Sequence, residues 1–231
     1  MENYINHCCW KSTIATFRNT DKGEWLERMI SSSRMVHPHP AGPEQEKAWG
    51  SCFDVLRETF AQLPESYARV WVVFEYTLPK HNPKDEDPTP DPGVRPDVLL
   101  LCGGHVVVLE FKQREEAIPH FEKQARKYQY RLQNWHVQSL GMSKHTVLVL
   151  TEASGLREDK YHITDCSPDM LGEVLRGMLG DAPAHMSKDR LKEWLGSEYA
   201  FGKNRKRLWR ESVGNKGRKK KAESTEGASG T

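Results

Sequence analysis

A chain of 231 residues suffices for one α/β domain with its own core plus flanking segments, and is short for two. Its composition, 37% hydrophobic and 29% charged, is too apolar for a wholly disordered chain, while its longest apolar runs, 98–101 and 106–109, are far too short to span a bilayer. The net charge of +2 conceals acid concentrated at Asp85-Glu86-Asp87 and base near the C-terminus, so global charge does not announce a nucleic-acid binder.

No apolar signal region opens the sequence, and a cytoplasmic protein is expected. The five cysteines, Cys8, Cys9, Cys52, Cys102 and Cys166, are odd in number and lack CxxC or Cys/His spacing. Neither a disulfide framework nor a zinc or iron–sulfur site is indicated.

In chain order, residues 13–17 are β-prone, and a helix is predicted over 21–32, where Trp25, Met29 and Ile30 recur at helical spacing. Residues 35–43, with three prolines and a glycine, form a connector. A stronger helix follows over 44–63, stopped by Pro64. Strands are predicted over 70–78, 95–101 and 105–111, the last two joined by a tight hairpin at Cys102-Gly103-Gly104. Between the first two lies a Pro- and Asp-rich stretch, 79–93, too polar for core and expected to be mobile. A long helix over 115–135 carries Ile118, Phe121, Ala125, Tyr128, Leu132 and Trp135 at alternating spacings of three and four, and a buried strand follows over 146–150. Ser167-Pro168-Asp169 starts a helix running to 179, and a second short helix is predicted over 187–195. From Lys203 the chain is rich in Lys, Arg, Gly and Ser, and a disordered basic tail is expected. No internal repeat and no GxxxxGK[ST] phosphate loop occurs, so no ATPase activity is encoded here.

The chemistry concentrates at the second hairpin strand. Glu110 and Lys112 are two residues apart, so strand alternation projects them from one face, while Val107, Leu109 and Phe111 bury on the other. A carboxylate and an ammonium thus end a strand that is otherwise apolar. Asp97 stands six residues before Gly103 and Glu110 six after Gly104, so an antiparallel hairpin brings the two acids together. Adjacent carboxylates repel and raise each other's pKa unless a divalent cation lies between them. Hard oxygen ligands suit Mg2+ or Mn2+. Lys112 would orient or deprotonate an attacking water, or stabilise charge developing on a phosphate. Glu75, in the second half of the first predicted strand and beside the proposed site, is a candidate further metal ligand.

Pro96-Asp97 followed by Glu110-Phe111-Lys112 resembles the PD-(D/E)xK signature of restriction-endonuclease-like nucleases. The α-β-β-β-α-β order predicted over about 44–151, a mixed sheet flanked by helices, is that fold's core. Gln124 and Tyr128, spaced i,i+4 on the next helix, look like the QxxxY motif of the RecB-like branch. Residues 74–79 followed by Arg95-Pro96-Asp97 also resemble the nuclease-like domain found ahead of a P-loop ATPase in some bacterial proteins. There is no cysteine cluster of the iron–sulfur kind and no histidine ending the first helix.

The resemblance implies catalytic roles for Asp97, Glu110, Lys112, Gln124 and Tyr128, metal ligation by Asp97 and Glu110, an acidic ligand from the first helix for which Glu46 is the candidate, and an ATPase or helicase partner. The ordinary readings are a salt bridge across a hairpin for the first three, core packing for Tyr128, and solvated glutamates for Glu46 and Glu75. Arg114, Lys123, Arg126, Lys127 and Arg131 make the long helix basic enough to meet phosphates, although such runs are commonly solvated faces. The domain plan is an N-terminal extension over 1–43 packed on the core, a nuclease-like domain over 44–200 and a basic tail over 201–231. The expectation is a Mg2+-dependent phosphodiester hydrolase acting on nucleic acid, DNA first. The rival is a catalytically silent module of the same fold that binds nucleic acid or a partner subunit.

Overall fold

The protein, represented by a computed structural model, is described over residues 8–36, 41–78, 94–160 and 163–199 and at positions 206, 207 and 210. The predicted mobile stretch 79–93 and nearly all of the basic tail lie outside the described residues, as do residues 37–40 of the connector.

Among the described residues, seven strands form one sheet: β1 (Trp10–Thr13), β2 (Trp71–Phe74), β3 (Val98–Cys102), β4 (His105–Lys112), β5 (Ser143–Leu150), β6 (Arg157–Lys160) and β7 (Ile163–Cys166). Their spatial order is β1-β2-β3-β4-β5-β7-β6. β1 to β4 are antiparallel, β5 pairs in parallel with both β4 and β7, and β6 returns antiparallel on the edge. The helices are α1 (Ile14–Arg18), α2 (Lys22–Val36), α3 (Pro43–Gln62), α4 (Pro119–Asn134), α5 (Leu171–Leu179) and α6 (Lys188–Leu195). The expected α-β-β-β-α-β core is therefore present as α3-β2-β3-β4-α4-β5. Among the described residues, no helix is long and apolar enough to cross a membrane.

Both faces of the sheet are covered, which is why its central strands read as continuous apolar runs. Val98, Leu100, Cys102, Val107 and Leu109 pack with Phe17, Trp25, Phe53 and Phe60 of α1 to α3 and with Leu171 and Leu175 of α5. The alternate residues Leu99, Leu101, Val106 and Val108 pack with Tyr128 and Leu132 of α4 and with Leu191 and Trp194 of α6. All five cysteines are buried and unbridged.

Several local expectations are corrected. The β-prone stretch 13–17 is helix α1: Thr13 caps it by accepting from Thr16 N–H, Ile14 and Phe17 turn into the core, and the strand precedes them as β1. Residues ahead of 43 thus contribute an edge strand as well as core side chains. β2 stops at Phe74 because Glu75 adopts φ +53°, which breaks the extended backbone. α4 begins at Pro119, where proline at the first turn needs no helical hydrogen bond. Arg131, read as part of a solvated face, is buried and donates to the Leu78 carbonyl at 2.7 Å. Trp135, assigned to the core stripe, is only half-buried and sits beneath the Arg131 guanidinium. β6 and β7 were not anticipated. All four residues of β6 are charged, a composition that discourages edge-to-edge pairing and carries no strand signal.

Candidate active site

The hairpin between β3 and β4 sets the site. Gly104, at φ +93°, makes the turn, and the ladder pairs Leu101 with Val106, Leu99 with Val108 and Val98 with Leu109. One further step brings Asp97, just outside β3, opposite Glu110. Alternation puts Glu110 and Lys112 on the face of Val106 and Val108, the side covered by α4.

The contacts follow that register. Asp97 Oδ2 accepts the Phe111 backbone N–H at 2.7 Å. The Lys112 ammonium donates to Glu110 Oε1 at 2.8 Å and lies 5.1 Å from the centre of the Phe121 ring. From α4, the Gln124 amide donates to the same Glu110 oxygen at 2.7 Å and contacts the Tyr128 hydroxyl at 2.7 Å. That hydroxyl donates to the Arg95 carbonyl at 3.0 Å, while the Tyr128 ring is wholly buried among apolar residues of the second face. Tyr128 therefore fills the core and reaches the site at once.

Glu110 is buried, and its second oxygen, Oε2, has no hydrogen-bond partner. An uncompensated buried carboxylate is costly. Burial, then the nearby Asp97 charge, raises the Glu110 pKa to about 8 against the pull of Lys112. Burial likewise raises Asp97, opposed by the Phe111 N–H and by Lys112. Glu75, raised to about 7 by burial and then by Asp97, completes an acidic neighbourhood that disfavours full ionisation without a cation.

Glu75 lies beside Asp97 but is engaged elsewhere. Its Oε1 accepts from the Trp49 indole at 3.0 Å and from Gln45 at 3.4 Å, and its Oε2 is 3.8 Å from Arg95 Nε. Glu46 is half-buried on α3, but the helix turns Gln45, Trp49 and Cys52 toward the cleft instead. With these three, Asp97, Phe111 and Lys112 line a cavity of about 180 Å3. Among the described residues, no three His, Cys, Asp or Glu side chains are grouped to hold a metal ion. The fit of a cation thus rests on Asp97 and Glu110, a number adequate for Mg2+, which keeps several waters and takes one or two carboxylates plus substrate oxygens. The unpartnered Glu110 Oε2 suits such a group. Gln45 and Trp49 were not singled out from the sequence, and Arg95 entered only as a neighbour of Asp97 with no role of its own. Trp49 sits one helical turn after Gln45, but nothing local marks either as facing the site.

No family model matches this chain, and no curated protein matches it. A similar solved structure is the small subunit of a heterodimeric restriction endonuclease: 15% identity over 79% of this chain and 85% of that one, with a TM-score of 0.25. At that TM-score the likeness carries no argument. The molecule is described by its own strand order and site: an α/β protein with a seven-stranded mixed sheet between helices and a carboxylate–carboxylate–lysine cluster beside its β3–β4 hairpin.

Proposed function

We propose that this protein is a metal-dependent nuclease that hydrolyses phosphodiester bonds, with DNA as the foremost substrate. The observation that carries the reading is Glu110: a buried carboxylate with one oxygen held by Lys112 and Gln124, the other unpartnered, and Asp97 across the hairpin. Asp165 of β7 likewise leaves one oxygen bare beside Lys160, so the bare oxygen of Glu110 supports the reading only together with Asp97, Gln124 and the cavity that Asp97 and Lys112 line.

Asp97 and Glu110 would hold Mg2+ or Mn2+, which when bound supplies Lewis acidity toward a phosphate oxygen and lowers the pKa of water. Lys112 brings a positive charge to the same point, fixed between Glu110 and the Phe121 ring, where charge develops on a phosphate in the transition state. Gln124 orients the Glu110 carboxylate, and Tyr128 locks the Arg95 carbonyl ahead of Asp97. The exposed Lys123 and Lys127 of α4 and the basic composition of the C-terminal segment are suited to phosphate contacts. An ATPase or helicase partner belongs to the same proposal.

The test is cleavage of linear, circular and single-stranded DNA, and of RNA, with and without Mg2+ or Mn2+. Metal-dependent products abolished by Asp97→Asn support the reading. Binding without cleavage of any substrate, indifferent to Lys112→Ala, replaces it with a silent binding module.

A further inference from the structure

We infer that Glu75 is a positioning residue: anchored by Trp49, it holds the Asp97 segment in place instead of ligating a metal. This rests on the nuclease reading of the Asp97 site and concerns how that site is kept in register.

Three observations carry it. First, Glu75 is the one non-glycine residue with positive φ among the described residues. Side chains with a Cβ adopt that conformation when their surroundings impose it, and such strain gathers at functional sites. Second, the turn this produces serves Asp97: the Glu75 backbone N–H donates to the Asp97 carbonyl at 3.1 Å, continuing the β2–β3 pairing beyond the end of β2. Third, the same turn buries the carboxylate against α3, where both oxygens face donors: Oε1 meets the Trp49 indole and the Gln45 amide, and Oε2 meets Arg95. Glu110, by contrast, keeps a bare oxygen.

The segment Arg95-Pro96-Asp97 is thus held from two sides. Tyr128 takes the Arg95 carbonyl and Phe111 N–H takes the Asp97 carboxylate. Glu75 takes the Arg95 guanidinium through its side chain and the Asp97 carbonyl through its backbone. Trp49, on α3, ties this second grip to the helical layer.

The Phe111 amide reports on Asp97 because it donates to Oδ2, and its exchange needs no metal, substrate or activity. In the full-length, metal-free chain, Glu75→Ala and Trp49→Phe should each speed Phe111 amide exchange about tenfold or more, relative to an interior amide such as that of Val147. Glu75→Gln keeps the acceptor for the indole and should change it less than about threefold. In parallel Mn2+ titrations, Glu75→Gln should bind within about threefold of wild type while Asp97→Asn loses at least about tenfold. Unchanged Phe111 exchange in Glu75→Ala overturns the inference. So does a loss of Mn2+ affinity in Glu75→Gln matching that of Asp97→Asn, which would make Glu75 a ligand. Should Trp49→Phe fail to fold, the Ala and Gln variants of Glu75 decide alone. If the wild type cuts nothing, the nuclease reading fails while Phe111 exchange still judges this one.

Discussion

Phe111 donates its backbone N–H to Asp97 Oδ2 at 2.7 Å, so the strand that carries Glu110 and Lys112 also clasps the carboxylate facing them. Asp97→Asn retains an amide oxygen for this bond while discarding the charge. Cleavage should fall on the order of a thousandfold or more, with the melting temperature of the metal-free protein shifted by no more than about 3 °C. Single-turnover rates and a thermal melt check both halves.

Glu110→Gln tests a trade between stability and function. The side chain carries a desolvated carboxyl with an unpartnered oxygen, and an amide of the same shape still accepts from Lys112 and Gln124. Metal-free Glu110→Gln should melt no lower than wild type at pH 8 and should lose metal-dependent cleavage. A large destabilisation would make Glu110 a structural anchor.

Lys112→Ala should separate chemistry from binding. Its ammonium sits beside Glu110, whereas the exposed lysines of α4 face solvent. The cleavage step should drop about 100- to 10,000-fold while DNA affinity changes little. Removing the chain from Lys203 onward should do the reverse: weaker, more salt-sensitive binding and an unchanged rate at saturating DNA.

Tyr128→Phe keeps the buried ring but removes the hydroxyl that donates to the Arg95 carbonyl. A cost of about 1 kcal/mol in urea denaturation is expected, with cleavage reduced about tenfold through the loosened approach to Asp97. A full loss of folding would assign Tyr128 to packing alone.

A pH dependence arises at the opposite end of the sheet. His105 Nδ1 and His145 Nε2 are 3.3 Å apart, with nearly parallel rings. Burial, then His105, lowers the His145 pKa below its ordinary value of about 6.5. At this site the folded protein therefore binds fewer protons than the unfolded chain below that pH, so the contribution of His145 to stability is full above about pH 6.5 and is lost as pH falls toward the folded value. Glu75 and Glu110, raised to about 7 and about 8, act in the opposite sense over the same range, so the His145 share is read as a difference: in thermal melts from pH 8 to 5, His145→Gln should gain stability relative to wild type below about pH 6.5.

Much of the site was legible in sequence because it is built from local rules. Alternation alone placed Glu110 and Lys112 on one face, and the symmetric spacing of Asp97 and Glu110 about the glycine turn implied their meeting; the ladder from Cys102–His105 to Val98–Leu109 has the hairpin register on which that expectation rests. The apolar runs of β3, β4 and β5 announced strands buried on both faces. Helical spacing put Gln124 and Tyr128 together on α4.

What tertiary structure decided is everything carried by contacts between distant segments. β6 and β7 have too few apolar residues to signal strands, and they exist because β5 offers β7 a pairing edge and β7 offers one to β6. Residues 13–17 carry β-prone side chains yet form a helix, because Thr13 caps the turn and the core takes Ile14 and Phe17. Arg131 left the solvated face for a carbonyl 53 residues away in the chain. Glu75 was visible as an acid near the site, but its left-handed backbone and its anchor on Trp49 were not, since a residue 26 positions away supplies the partner. Strand alternation and helical spacing determine which side chains share a face. Which of those faces meet, and what a buried carboxylate finds when they do, is determined by the packing of layers that no local pattern encodes.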